Sequence, residues 1–356
     1  MCEQFVIQSH KGPYSVHFDD TLLSNVARLL EGEPHFLVDA KVAQLYRDDL
    51  RAIVDHRNAI TIEATEENKS LERTVPVFER LVLNKIRRDH TLVAIGGGIV
   101  QDITCFVAST LLRGVSWSFV PTTLLAQADS CIGSKSSINL GGTKNILGTF
   151  YPPRRVFIAS RFLETLESRD IRSGVGEIVK VHAIEGAASF DALSNEFDRL
   201  FLNDSVLQRY VRSALRIKKR FIEEDEFDRG IRNVFNYGHS FGHAIESATQ
   251  YGVPHGIAVG LGMDLANSLS VKLGLLPAEH HSRMHALLRK LYDEYAKVSI
   301  SPDDVLSALL KDKKNTRAML GLILPVGREA NIERVAVAPD ATFESYFRDA
   351  FAEAFG

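Results

Sequence analysis

The chain has 356 residues, 45% hydrophobic and 24% charged, a balance that excludes disorder and supplies enough apolar surface for two cores. Its formal net charge of -3 carries no basic excess, so nucleic acid and anionic membranes are excluded as main partners and any positive charge must be local. The three cysteines, Cys2, Cys105 and Cys131, lack CxxC spacing, and neither a basic-then-apolar leader nor a run of about 18 apolar residues occurs; we expect a cytoplasmic protein.

Residues 4–8 and 14–18 read as short strands around the Lys11-Gly12 turn, and residues 35–39 are an apolar run that ends in Asp39. Helical spacing over 42–53, a strand at 59–63, a helix over 71–88 and a strand at 90–95 lead into Gly96-Gly97-Gly98. Residues 99–112 are helical again, and strands follow at 117–120 and 155–159. Short apolar strands alternating with helices predict a parallel sheet with helical crossovers. Past residue 162 the pattern becomes helix after helix: 171–184, 206–224, 233–251, 257–273, 280–292 and 303–310, with a small hairpin from strands at 318–324 and 331–337. We therefore divide the chain into an α/β domain, 1–163, and a mostly helical domain, 164–356, and expect a small-molecule site in the cleft between them.

Four stretches carry candidate chemistry. A strand running into Gly97 and Gly98 and then a helix presents bare backbone N–H groups at a helix N-terminus, which suits a pyrophosphate or serves as a tight turn. Asp102 four residues later either orients a nicotinamide ribose or is a surface helix residue, and Glu66 with Lys69 either reaches an adenosine ribose or is a solvated pair. The block from Pro121 to Asn145 follows a strand and gathers Thr122, Thr123, Asp129, Lys135, Asn139, Lys144 and Asn145, donors and acceptors of either a ligand loop or a plain polar loop. Glu177 and Lys180 share a helix face and are either an ordinary surface ion pair or, among apolar neighbours, a buried carboxylate and ammonium, for which a metal with an anionic substrate supplies the reason. In residues 236–256, His239 and His243 lie four apart on one helical face and His255 follows Pro254, so the three are either a metal cluster with an open position or ordinary helix histidines.

Taken together, GGGIVQD, LLRGVSWSFVPTTLLAQADSCIGSKSSIN, TKNILGTFYPP, GEIVK, NYGHSFGHAIE, the His-Gly pair at 255–256 and DKKN at 312–315 resemble, in order and spacing, the dehydroquinate synthase and wider sugar phosphate cyclase family. The resemblance implies a Rossmann-like parallel sheet in the α/β domain, a helical second domain, NAD, and Zn2+ with Co2+ as an alternative. By position it implies Glu177, His239 and His255 as metal ligands, with His243 a substrate-side histidine. Asp39, Glu66, Lys69, Gly97, Gly98, Asp102, Thr122, Thr123, Asp129, Lys144 and Thr165 fall among the implied cofactor positions. Asp129, Lys135, Asn145, Lys180, Lys218, Arg232, Asn236, Lys313 and Lys314 match implied substrate positions, and Arg113 matches the arginine that reaches the neighbouring subunit's phosphate in a homodimer. The implied substrate is a small sugar phosphate, 3-deoxy-D-arabino-heptulosonate 7-phosphate. In the implied reaction NAD takes hydride from C5, phosphate leaves, the hydride returns and the ring closes by an intramolecular aldol step.

Several positions depart from the family pattern: Gln101 for a glycine, GSKSS with Ser134 and Ser136 for a GGKTG-like run, Gly176 for alanine, and Ile257 for an acid. They leave open an aminodehydroquinate-type or sedoheptulose 7-phosphate-type cyclase and a metal-dependent polyol dehydrogenase. Lys218, Arg232, Asn236 and His243 favour a carboxylated substrate.

Overall fold

In the computed structural model, which describes residues 3–141, 143–295, 298, 300–311 and 319–355, the apolar runs of the first half become strands. In chain order the strands, with the polar β7 and β8 added to those runs, are β1 (Glu3–Ile7), β2 (Tyr14–Phe18), β3 (Pro34–Asp39), β4 (Ala59–Ile62), β5 (Thr91–Gly96), β6 (Ser116–Pro121), β7 (Lys135–Leu140), β8 (Thr143–Phe150) and β9 (Arg155–Ile158). Helices α1 (Ala40–Leu45), α2 (Arg51–Val54), α3 (Leu71–Leu83) and α4 (Gly98–Thr110) lie between them. Seven strands form one sheet in the order β1-β2-β9-β6-β5-β3-β4, with β1 antiparallel to β2 at one edge and every other neighbour parallel. β4 and β5 flank β3 on opposite sides, so the winding reverses at β3 and β5, the place where open α/β sheets form a crevice at the carboxyl ends of their strands. Asp39 and Gly96 end those two strands, and a Cβ added at Gly96 would lie 3.2 Å from that of Asp39. One compact unit comprises Met1–Glu167 and Lys219–Phe227.

The second unit comprises Ser168–Lys218 and Asp228–Gly356. It carries α5 (Ser168–Glu185), α6 (Ala187–Asn195), α7 (Asp204–Glu224) as far as Lys218, α8 (His239–Ala248), α9 (His255–Lys272), α10 (Ala278–Tyr292), α11 (Pro302–Leu310), the hairpin β10 (Leu320–Val326) and β11 (Asn331–Val337), and α12 (Ala341–Phe355). Every residue of α9 from Gly256 to Ser270 is buried, as expected of a helix apolar on all faces and packed by α5, α8, α10 and α12. The expected α/β sheet followed by a helical region is the architecture observed. Among the described residues no helix is long and apolar enough to cross a membrane.

The differences from the sequence expectations have local causes. The helix expected over 42–53 is broken after Leu45, where Tyr46 leaves helical geometry and its hydroxyl donates to Arg161 O at 2.8 Å. α3 stops at Leu83 because Lys85 turns left-handed and Ile86 N returns to Leu81 O, closing the helix end. The single helix expected over 233–251 is interrupted by Gly238 at φ +77, where a Cβ would lie 2.6 Å from Val259 O, so α8 starts at His239. The 121–145 block folds at its end into the β7–β8 hairpin, whose polar residues mask the alternation of a strand. α12 was not anticipated, although Phe343, Phe347, Ala350, Phe351 and Ala354 have helical spacing and are buried.

Candidate active site

In the first unit the glycine turn sits where β5 runs into α4. A Cβ at Gly97 would meet Thr123 Cγ2 at 2.9 Å, whereas one at Gly98 would meet nothing within 4 Å. Gly98 therefore opens the first turn of a thirteen-residue helix onto free space, a cradle for an anion. Thr122 N donates to Gly96 O at 2.9 Å and Thr123 Oγ1 accepts from Ala126 N at 3.2 Å, fixing the segment beside that cradle. Gln101 clamps the Ala126–Ser130 turn that carries Asp129: its amide donates to Ser130 O and its Oε1 accepts from Ser130 Oγ, both at 2.6 Å. Ser136 pairs with Thr149 across the hairpin at 3.1 Å, and Ser134 is buried.

The structure joins Glu66, Lys69, Asp102, Lys144 and Asn145 in one polar network. Lys69 Nζ donates to Asn145 Oδ1 at 2.9 Å and to Asp102 Oδ2 at 3.3 Å, while Asn139 donates to Glu66 Oε1 at 2.9 Å. Lys144 Nζ lies 3.6 Å from the same Glu66 oxygen. An irregularity in the β7–β8 pairing puts Asn145 at φ +50, where its N–H reaches Asn139 Oδ1 at 2.9 Å. A non-glycine residue held left-handed in this way marks a position whose side chain is being aimed. Asp39 caps α1 through Lys41 N, and Thr165 Oγ1 is 3.0 Å from the Tyr46 hydroxyl. Arg113 is exposed in a turn where Leu112, Arg113 and Gly114 all have positive φ.

Burial raises the Asp102 carboxyl to about 6, with Lys69 holding it back only in part. A folded-state value above the unfolded one means that ionising Asp102 costs stability as pH rises from about 4 to about 6. We expect the stability of Asp102→Asn relative to the wild type to increase over that interval by at most about 3 kcal/mol, measured by denaturant unfolding between pH 4 and 7. A pH-independent difference would contradict the burial argument.

In the second unit Glu177 sits on α5, His239 and His243 on α8, and His255 is the first residue of α9. α5 and α9 touch through glycine: a Cβ at Gly176 would lie 2.2 Å from Gly256 O, and Gly256 N donates to Ser173 Oγ at 2.9 Å. That contact sets Glu177 against His255. Glu177 is 1% exposed; Oε2 accepts from Lys180 Nζ at 2.5 Å, and Oε1, which accepts no hydrogen bond, faces His255 Nε2 at 3.5 Å and His239 Nε2 at 3.9 Å.

The far nitrogens are anchored. His239 Nδ1 is 3.3 Å from Tyr237 O, and His255 Nδ1 is 3.2 Å from Glu246 Oε1, which leaves both Nε2 atoms bare toward Glu177. Two donors on a tetrahedral zinc stand roughly 3.3–3.5 Å apart, so a buried carboxylate oxygen without a partner and two oriented imidazoles fit a divalent ion. His243 is exposed, its ring 5.3 Å from that of His239 and 5.7 Å from that of His255, and one atom from each of the three histidines lies within 4.8 Å of the others.

Electrostatics follow from this packing. Burial favours neutral Glu177, but the Lys180 ammonium and the two histidines outweigh it and hold the carboxyl well below its usual range. Burial, and then the Lys180 charge, keeps His239 neutral, whereas the carboxylates of Glu177 and Glu246 overcome burial and raise His255 to about 10. Lys180 Nζ lies 5.7 Å above the Phe235 ring, in the turn that also carries Arg232 and Asn236. Arg232 is buried, as is Lys218 on α7; Lys313 and Lys314 lie outside the described residues. Ile257, where the family pattern has an acid, is wholly buried in α9 and belongs to the core. Glu246 and Ser173 were not singled out from sequence; an acid in the otherwise apolar run after His243 was the available signal.

The sequence matches the family domains described as 3-dehydroquinate synthase N-terminal over residues 59–173 and 3-dehydroquinate synthase C-terminal over residues 174–315. The chain belongs to the 3-dehydroquinate synthase family. The 3-dehydroquinate synthase of Alkaliphilus metalliredigens is 32% identical over 349 residues, 96% of this chain and 98% of that one. That of Alkaliphilus oremlandii is 38% identical over 272 residues, covering 75% and 74%. Among solved structures, 2-epi-5-epi-valiolone synthase from Streptomyces hygroscopicus subsp. jinggangensis, with NAD+ and Zn2+ bound, superposes with a TM-score of 0.82 at 27% identity over 96% of both chains. The chain is thus an enzyme of the 3-dehydroquinate synthase family, a sugar phosphate cyclase.

Proposed function

We propose that this enzyme converts a 7-phosphorylated heptulosonate to a carbocycle with release of phosphate, as a 3-dehydroquinate synthase. The observation that carries the proposal is the buried Glu177 oxygen facing two oriented histidines, beside a buried Lys180, in a chain of net charge -3 that also buries Lys218 and Arg232 in the same unit. A protein that is acidic overall and concentrates buried cations is suited to an anionic substrate.

Glu177, His239 and His255 would hold Zn2+, or Co2+, and the Gly97–Gly98 turn with Asp102, Thr122 and Thr123 would hold NAD in the α/β domain. When bound, NAD supplies a reversible hydride acceptor and the divalent ion polarises a substrate hydroxyl. The chain's own groups then bind and orient. Lys218, Arg232 and Asn236 take the carboxylate, whereas Lys135, Asn145, Lys180 and His243 take the phosphate. The Lys180 ammonium, fixed by Glu177 Oε2, keeps a positive charge where phosphate negative charge grows on departure. By the resemblance, Arg113, exposed in its left-handed turn, would serve a second copy in a homodimer.

Phosphate release from 3-deoxy-D-arabino-heptulosonate 7-phosphate, with NAD and Zn2+ supplied, is the test. We expect turnover without net NADH, none with sedoheptulose 7-phosphate, which lacks the carboxylate, and a loss of at least about 100-fold in kcat/KM for Arg232→Met. Release from sedoheptulose 7-phosphate alone would point to another cyclase, and steady NADH formation from glycerol-like alcohols to a dehydrogenase.

A further inference from the structure

A second cluster of metal-ligating side chains lies in the helical unit, remote in sequence and in the fold from Glu177. Asp264 is on α9, nine residues after His255 and so about 13 Å further along the helix axis. His281 and His285 are four residues apart on α10 and face it. One ligand atom from each of the three lies within 4.8 Å of the others.

Asp264 is 1% exposed, in the middle of a helix otherwise buried as core, and an ionised carboxylate there needs compensation. Its Oδ2 has it: the Tyr292 hydroxyl donates at 2.5 Å, and His285 Nδ1 stands 2.7 Å away. Oδ1 is buried yet accepts no hydrogen bond, with His281 Nε2 beside it at 3.3 Å. A plain tie between two helices would turn that imidazole N–H into line with the oxygen. The separation, within hydrogen-bond reach but out of line, is also the edge, roughly 3.3–3.5 Å, that a nitrogen and an oxygen make when both ligate one tetrahedral ion.

The two histidines are reachable. Their side chains are 19% and 34% exposed and line an open cavity of about 440 Å³ together with Ser268, Lys272, Ser282 and Glu353. Glu353 is held at that wall by Ser268 Oγ at 2.5 Å and Lys272 Nζ at 2.7 Å. The donor set of two imidazoles and one carboxylate, with one side open to the cavity, is the set that borderline divalent ions such as Zn2+ and Co2+ take, and it is poorly matched to Ca2+ or Mg2+.

We propose that Asp264, His281 and His285 form a second, exchangeable site for a divalent ion of the Zn2+ or Co2+ type, which clasps α10 to α9. The ion binds the folded unit and not the unfolded chain, so the stabilisation rises with the logarithm of its free concentration above Kd.

Equilibrium dialysis of the full chain against Zn2+ or Co2+, followed by elemental analysis, tests this. We expect two equivalents per wild-type chain, one in His281→Gln/His285→Gln, one in Glu177→Gln, and none when all three substitutions are combined. In the Glu177→Gln background, added Zn2+ raises the melting temperature, and the histidine substitutions abolish that rise. A double histidine variant that binds as much metal as the wild type overturns the second site; a Glu177→Gln chain that still binds two equivalents overturns the first assignment and leaves the second standing. Should the double variant not fold, His281→Gln alone gives the same readout, with loss of one equivalent expected and wild-type stoichiometry overturning the site.

Discussion

On the proposed function, Glu177→Gln should lose the metal at this site and phosphate release together. The amide keeps the shape of the carboxylate but removes the charge that faces His239 and His255 and that accepts from the buried Lys180 ammonium. Removing one member of a buried ion pair costs about 3–5 kcal/mol, because the other charge stays desolvated. Changes outside the ligand shell already weaken metal binding about 10- to 100-fold, so loss of a ligand charge should exceed about 100-fold. Metal content after dialysis, phosphate release and the urea midpoint measure the three effects on one preparation. Stoichiometric metal at this position in the variant would remove Glu177 from the ligand set and return the choice to His239, His243 and His255, whose atoms also lie within 4.8 Å of one another.

The sequence showed these two donor sets in different ways. The three histidines were visible as a spacing, because four residues on a helix share a face and His255 follows Pro254. Glu177 lies 62 positions before His239, and no local pattern links them. Its apolar neighbours suggest a buried carboxylate that a metal would explain, but only the resemblance joins it to the histidines, and the α5–α9 glycine contact supplies the physical reason. The parallel sheet was legible because buried strands are apolar runs between helices, whereas the β7–β8 hairpin, with Lys135, Ser136, Ser137 and Asn139, reads as a loop by composition. The network of Lys69, Asp102 and Asn145 was equally hidden, since its members come from a loop, a helix and a strand. Asp264 with His281 and His285 escaped notice because an acid in an apolar helix signals nothing until its oxygens can be followed to their partners.

Gly256→Ala should be as damaging as the loss of a ligand, although it adds a single methyl group. A Cβ there would lie 1.8 Å from Ser173 O, a backbone atom in the middle of α5 that cannot rotate away. α9 cannot retreat, because Gly238 O stands 2.0 Å from a Cβ at Gly262 on the side of α8 and Leu291 Cδ2 2.6 Å from one at Gly260 on the side of α10. Overpacking a core costs about 1–3 kcal/mol where neighbours can shift, and here backbone meets backbone, so about 3 kcal/mol or more is expected. His255 adjoins the substituted residue, so any relief of the clash carries Nε2 away from Glu177 Oε1, and metal affinity should fall at least about 10-fold with the loss of stability. Gly98→Ala is the matched control. Its Cβ meets no protein atom within 4 Å, so unfolding should change by less than about 1 kcal/mol while NAD binding weakens, because the methyl group occupies the open space above the first turn of α4. Urea midpoints with metal and NAD titrations on the two variants separate the cases. A Gly256→Ala protein with wild-type stability and metal affinity would show that α5 and α9 do not hold Glu177 and His255 together by this contact.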